Sequence, residues 1–145
     1  MSSTRARFRP TPASFSLLVV VAAAAVAMAW DLDALGWGNQ YYAAVAQSGA
    51  HSEWGFFNAT PDLAAVTGTD KPPLAFWPMS IAVWLVGLHG WAVALPQVVE
   101  SVATVALLAL LVRRVSGTVG AAVAAAALAS TPIFFVLARF DDPDT

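Results

Sequence analysis

Leu74-Ala75-Phe76-Trp77-Pro78-Met79-Ser80-Ile81-Ala82-Val83-Trp84-Leu85-Val86-Gly87-Leu88 lies in an uncharged stretch between Lys71, the only lysine, and Glu100. As a helix these 15 residues would reach about 22 Å at 1.5 Å per residue. That falls short of a hydrocarbon core roughly 30 Å thick. Pro78 interrupts the run, and Trp77, Trp84 and Trp91 flank it; tryptophan prefers the membrane–water interface. The stretch therefore reads either as a crossing helix or as a re-entrant or interfacial one, and the number of crossings turns on it.

Charge placement outside this stretch bears on the choice. Three longer apolar runs occupy 13–30, 95–112 and 118–138, in a chain of 145 residues that is 59% hydrophobic and 11% charged. Soluble domains carry about 25% charged residues, so the composition predicts an all-α integral membrane protein. Arg5, Arg7 and Arg9 precede the first run, and Arg113-Arg114 separate the last two. The acids cluster elsewhere: Asp31, Asp33, Glu53, Asp62 and Asp70 between the first run and 74–88, and Asp141, Asp142 and Asp144 at the end. If 74–88 crosses, four transmembrane helices result, with Arg113-Arg114 outside and the acidic tail inside. If it does not, both arginine clusters are cytoplasmic and all the acidic clusters external, as the positive-inside rule requires. The preferred arrangement has three transmembrane helices plus one re-entrant or interfacial helix. It divides the chain into a basic cytoplasmic segment 1–12, a first span 13–30, an extracytoplasmic loop 31–72 carrying short interfacial helices, and membrane helices over 73–145 that end in an external acidic motif. This predicts a multi-pass plasma-membrane protein with a cytoplasmic N-terminus. The first run also resembles a signal peptide, with Ala27-Met28-Ala29 as a cleavage-like site; the later apolar runs favour an uncleaved anchor. With no cysteine, disulfide frameworks and thiolate metal sites are excluded. No basic face suits nucleic acid.

The external loop carries most of the polar chemistry. Asp70-Lys71-Pro72-Pro73 sets an acid beside the lone lysine where the loop meets the membrane. Such a pair marks an ion or phosphate site, or else a lysine snorkelling at a helix end. Tyr41-Tyr42-Ala43-Ala44-Val45-Ala46 reads as a short helix ended by Ser48-Gly49, and Trp54, Phe56 and Phe57 form an aromatic patch suited to the interface. His51 and His89 are candidate metal ligands or plain interfacial residues. Glu100 lies in the first turns of a span, where an acid is a functional candidate by default, yet near enough to the external end to reach water. Residues 121–129 form a small-residue face suited to helix packing. On the external side the tail Arg139-Phe140-Asp141-Asp142-Pro143-Asp144 joins Asp70-Lys71. There carboxylates can hold a divalent metal or act as a general base, and Lys and Arg can bind phosphate.

The order of these motifs resembles that of the GT-C membrane glycosyltransferases, in particular the N-terminal portion of protein O-mannosyltransferase-like and lipid A aminoarabinose transferase-like enzymes. The matching elements are a first span, Gly38-Asn39-Gln40-Tyr41-Tyr42-Ala43-Ala44, Asp70-Lys71-Pro72-Pro73-Leu74, Leu95-Pro96-Gln97, the Arg113-Arg114 turn with Gly117, and Thr131-Pro132 leading to the acidic tail. The resemblance implies transfer of a sugar from a polyprenyl-phosphate donor to an acceptor on the outer face of the membrane. It makes Asp70, Asp142 and Asp144 the catalytic candidates and Lys71 and Arg139 the donor-phosphate ligands, with Asn39, Tyr41 and Tyr42 in the loop motif. Asp70, Asp141 and His51 are the candidate ligands for a divalent metal, Mg²⁺ or Mn²⁺. One departure stands out. Relatives often carry an acid just before the Tyr-Ala helix, where this chain has Gly38-Asn39, and an amide cannot accept a proton as a carboxylate does. Asp31, Asp33 or a tail acid are the alternative bases. Family members run to several hundred residues, so the chain reads as a truncated portion, expected to be inactive at this length.

A small non-catalytic membrane subunit or scaffold, packing through its alanine-rich helix, is the alternative reading. A transporter fragment is a third, disfavoured because the spans carry almost no polar groups at mid-depth.

Overall fold

The computed structural model describes residues 12–62, 64 and 66–142; Arg5, Arg7, Arg9 and Asp144 lie outside the described residues. Among the described residues all regular structure is helical. Six α-helices follow in order: α1 (Pro12–Ala29), α2 (Gln40–His51), α3 (Glu53–Asn58), α4 (Trp77–Val86), α5 (Gly90–Ala129) and α6 (Pro132–Arg139). Short 3₁₀ turns at Leu32–Leu35 and Pro73–Phe76 precede α2 and α4.

Among the described residues, one helix, α5, is long and apolar enough to cross a membrane. Its 40 residues would reach about 60 Å if straight, twice a bilayer core. It is not straight. Gly117 adopts φ 70°, ψ −172°, outside helical space, a conformation that glycine reaches without a Cβ penalty. Val105 and Ala109 before it share one buried cluster with Ala121 and Ala125 after it, completed by Leu17 of α1. In a straight helix Val105 and Ala125 would stand about 30 Å apart, so the chain reverses at Gly117. The two limbs are the runs 95–112 and 118–129, and Arg113-Arg114 sit beside the turn.

The expected continuous run 118–138 is broken. α5 stops at Ala129, and α6 begins at Pro132. Proline has no N–H to continue the ladder and pushes its predecessor out of helical space; Thr131 has φ −65°, ψ 118°. The Thr131 and Ser130 hydroxyls donate to the Ala127 carbonyl at 2.8 and 3.2 Å. α6 then packs beside α1 and α5, with Ala138, Phe134 and Phe135 against Met28, Leu32, Ala94 and Val98.

α4 holds 10 residues, about 15 Å, too short to cross a bilayer core. It ends at Gly87, whose N–H donates to the Val83 carbonyl. Phe76, Met79 and Val83 pack against Tyr42, Val45 and Ala46 of α2 and Val93 of α5. α2 itself runs past Ser48-Gly49, where the sequence suggests a stop, to His51. Gly49 serves close approach, because a methyl group there would overlap the Ser80 hydroxyl of α4. The aromatic patch is built by Phe56, stacked on Trp77 at 5.2 Å, with the Trp77 indole donating to the Phe56 carbonyl at 2.9 Å.

Candidate functional site

The first turn of α2 gathers the polar residues. Asn39 caps the helix: its side-chain oxygen accepts from the N–H groups of Tyr41 and Tyr42 at 3.1 and 3.4 Å. This satisfies two of the donors that a helix start leaves open. Both tyrosines then hold the loop that ends in Asp70-Lys71. The Tyr41 hydroxyl donates to the Gly68 carbonyl at 2.9 Å, and the Tyr42 hydroxyl to Asp70 Oδ1 at 3.3 Å. Within the loop, the Thr69 hydroxyl donates to the Lys71 carbonyl at 2.9 Å. Tyr42 is buried against Phe76, ring centroids 5.2 Å apart. Burial raises its phenol above the usual value, the Asp70 charge raises it further, and Lys71 opposes the rise. Asp70 is exposed and Lys71 half-buried at this corner.

The tail arrives from the far end of the sequence. Asp141 Oδ1 accepts from the Asn39 N–H across a separation of 102 residues. Gly38 makes room for it: at φ 54° any side chain is strained, and a methyl group would overlap the Asp141 carboxylate. Asp141 is 2% exposed. Burial pushes its carboxyl up from 3.8 to about 6, against the lowering effect of the Asn39 N–H, and the neighbouring Asp142 charge adds to the rise. Asp141 Oδ2 and Asp142 Oδ1 are buried and have no hydrogen-bond partner among the described residues. The Asp142 charge also acts on Tyr42, which puts it in the same electrostatic neighbourhood as Asp70 and Lys71.

The structure thus brings together Asn39, Tyr41, Tyr42, Asp70, Lys71, Asp141 and Asp142. It places two other candidates elsewhere. Arg139 donates to the Ala27 and Trp30 carbonyls at 3.2 and 2.6 Å, so its guanidinium meets the negative end of the α1 dipole and rests over the Phe135 ring. His51 lies at the opposite end of α2, about 18 Å from Asn39, with Nδ1 on the Gln47 carbonyl at 2.9 Å. Among the described residues no three His, Cys, Asp or Glu side chains converge as a metal cage. Asp31 and Asp33 flank Leu32 at the turn after α1.

Sequence reasoning marked Gly38 only as a position lacking an acid and missed that its bare backbone makes room for Asp141. The place before the Tyr-Ala helix holds no acid of its own, yet a carboxylate reaches the start of α2, delivered by Asp141. The visible sign was Gly38 directly before an N-capping Asn39, and its long-range partner left no local trace.

The family described as dolichyl-phosphate-mannose-protein mannosyltransferase matches residues 70–145. Two candidate mannosyltransferases of Bacillus subtilis strain 168 are similar as well. YkcB is 34% identical over 106 residues, covering 73% of this chain and 15% of its own length. YycA is 32% identical over 107 residues, covering 74% of this chain and 16% of its own. The chain therefore spans about one sixth of the length of these curated relatives. No solved structure matches it. The family match begins at Asp70 itself, runs through the hairpin and the acidic tail, and takes in more than half of the sequence: the chain belongs to the dolichyl-phosphate-mannose-protein mannosyltransferase family.

Proposed function

We propose that the corner formed by Asp70-Lys71, the first turn of α2 and Asp141-Asp142 is the donor-phosphate side of a glycosyltransferase site on the outer face of the plasma membrane. The donor is a polyprenyl-phosphate-linked sugar, and the acceptor binds elsewhere. The supporting observation is that Asp70 and Asp141, from segments 71 residues apart, both bond to the first turn of α2, through the Tyr42 hydroxyl and the Asn39 N–H. In this reading α1 and the two limbs of α5 are the three spans, α6 continues the second limb outward, and α4 lies partly embedded at the external interface. Arg113-Arg114 are then cytoplasmic, and the whole corner is external.

The chemistry follows from the residues. As the bond between the sugar C1 and the phosphate oxygen breaks, negative charge grows on the phosphate. Lys71 supplies a fixed cation there, worth most in a site poor in water. The acceptor oxygen attacks C1 and gives its proton to a carboxylate, a role assigned in this reading to Asp70 or Asp142. Tyr42 fixes the orientation of Asp70, and Asp141 seats the tail on α2. Mg²⁺ or Mn²⁺ would be held by the partnerless oxygens of Asp141 and Asp142 together with phosphate oxygens, and would neutralise phosphate charge. Arg139 is assigned to holding α6 on α1.

Binding of a polyprenyl phosphate to the chain in nanodiscs tests the reading. Lys71→Ala is expected to weaken binding by roughly ten- to a hundredfold, the worth of a charge-assisted contact. Lys71→Arg recovers part of it, because a guanidinium fork replaces a compact ammonium. Equal binding by Lys71→Ala would remove the phosphate role and leave the lysine as a snorkelling residue.

A further inference from the structure

On α4, Trp77, Ser80, Ile81 and Trp84 recur at i, i+3, i+4 and i+7, which sets them on one side of the helix. Trp77 stacks on Phe56 of α3. The other three line a cavity of about 330 Å³ together with the last turn of α2 and the start of α3. The cavity lies at the His51 end of α2, away from Asn39 and the donor corner.

The groups lining it have one electrostatic character. Glu53 contributes a carboxylate, and no lysine or arginine lines the cavity. His51 Nδ1 rests on the Gln47 carbonyl, which only accepts. Nδ1 therefore carries the hydrogen, and Nε2 of the neutral ring is an acceptor. Ser80 is 2% exposed, yet its hydroxyl has no hydrogen-bond partner among the described residues, and neither has the Glu53 carboxylate. A buried hydroxyl without a partner is costly, and this one belongs to the cavity lining. The C-terminal end of α2 adds the negative pole of its dipole. Phe56, Phe57 and Trp84 supply aromatic walls, and the face of such a ring attracts cations, tryptophan most of all.

These features select an organic cation that carries N–H donors. An anion would be repelled by Glu53. A divalent metal needs a cage of several oxygens, and no three acids or histidines converge among the described residues. A primary ammonium offers its charge to the rings and three donors to the acceptors. The rim indicates its source. Phe57, Ile81 and Trp84 line the cavity and are also exposed, and Leu85 extends the exposed apolar surface beside Trp84. Such a rim suits an amphiphile whose apolar part lies outside the cavity.

We propose that this cavity holds the ammonium of a phosphatidylethanolamine headgroup from the outer leaflet, with its acyl chains along Ile81, Trp84 and Leu85. The inference rests on the interfacial placement of α4 given above, and is independent of the chemistry at the donor corner.

The test uses the 145-residue chain in phosphatidylglycerol nanodiscs. Since the sequence has no cysteine, Val86→Cys carries a single fluorophore at the end of α4. Quenching by headgroup-attached nitroxide lipids is expected, which places α4 at the interface. Energy transfer from this label to trace acyl-labelled phosphatidylethanolamine is then compared with transfer to the same lipid with its amine acetylated. Enrichment of the free amine by roughly three- to tenfold is expected. Glu53→Gln and Trp84→Leu should each remove most of it, while Trp84→Phe, which keeps a ring face, should retain part. Equal transfer to the two lipids from an interfacial label would overturn the proposal and leave the placement of α4 intact. Enrichment that survives both Glu53→Gln and Trp84→Leu would also overturn it, because the amine would then bind elsewhere. Displacement of the lipid by an equal concentration of soluble phosphoethanolamine would overturn the lipid as occupant. A label quenched by aqueous iodide alone would overturn the placement of α4 and the proposal together. Circular dichroism of each variant confirms that helix content is unchanged.

Discussion

Gly38 and Asp141 form a lock in which one residue lacks a side chain so that the other can use its own. Gly38→Ala introduces a methyl group at a positive φ, which costs about 1–2 kcal/mol in itself, and sets it against a carboxylate. The expected result is a lower unfolding temperature in nanodiscs together with loss of the tail contact. An unchanged melting curve would contradict the seating of Asp141. The acid also gives the chain a pH signature. Its carboxyl is raised from 3.8 to about 6, so the native chain holds this proton more tightly than the unfolded chain does. Stability from this group is therefore greatest at low pH, declines as pH rises from about 4 to about 6, and is flat above. Asp141→Asn keeps the acceptor oxygen for the Asn39 N–H and should remove that slope from the melting temperature. If the slope survives in Asp141→Asn, another group causes it. At this scale the sequence displayed Asp70-Lys71 and the acidic tail plainly, because charges are conspicuous in an apolar chain. It concealed the commitment of Arg139 to the Ala27 and Trp30 carbonyls. Backbone acceptors at a helix end have no side-chain signature.

At the scale of elements, Gly117 is the decisive position. Cysteine-attached spin labels at the exposed positions Leu107 and Val123 should lie within about 10–15 Å if the limbs pack side by side. A straight helix would hold them about 24 Å apart. The longer distance would dissolve the hairpin and the shared cluster of Val105, Ala109, Ala121 and Ala125. The sequence announced this turn through Arg113-Arg114 and a nearby glycine. It misled at two other glycine- or proline-marked places for opposite reasons. Ser48-Gly49 looked like a stop, yet packing of α2 on α4 uses the missing side chain inside the helix. The run 118–138 looked continuous in hydropathy, yet Pro132 divides it, since hydropathy counts apolar atoms and takes no account of a missing N–H. The shortness of α4, by contrast, was legible from the 15-residue length of the stretch 74–88, although Pro78 begins the helix instead of interrupting it.

For the whole molecule, the proposed topology predicts which surfaces face which compartment. Cysteines placed at the exposed positions Asn58, Phe140 and Ser116 can be challenged with a thiol reagent that does not cross the membrane. Labelling of the first two and protection of the third is expected in intact cells. Labelling of Ser116 with protection of Phe140 would instead mean that α4 crosses and that the corner is split between two compartments. The contact between Asn39 and Asp141 has a temporal side as well. At a synthesis rate of roughly 5–20 residues per second, α2 waits on the order of 5–20 seconds before its partner exists. Over the last 70 residues of that interval, from Lys71 to Asp141, the lysine and the first acid are in place but the second acidic pair is not. Assembly of the corner thus follows synthesis of the hairpin and α6, so a nascent chain lacks the Asn39–Asp141 contact until the bundle behind it has been made.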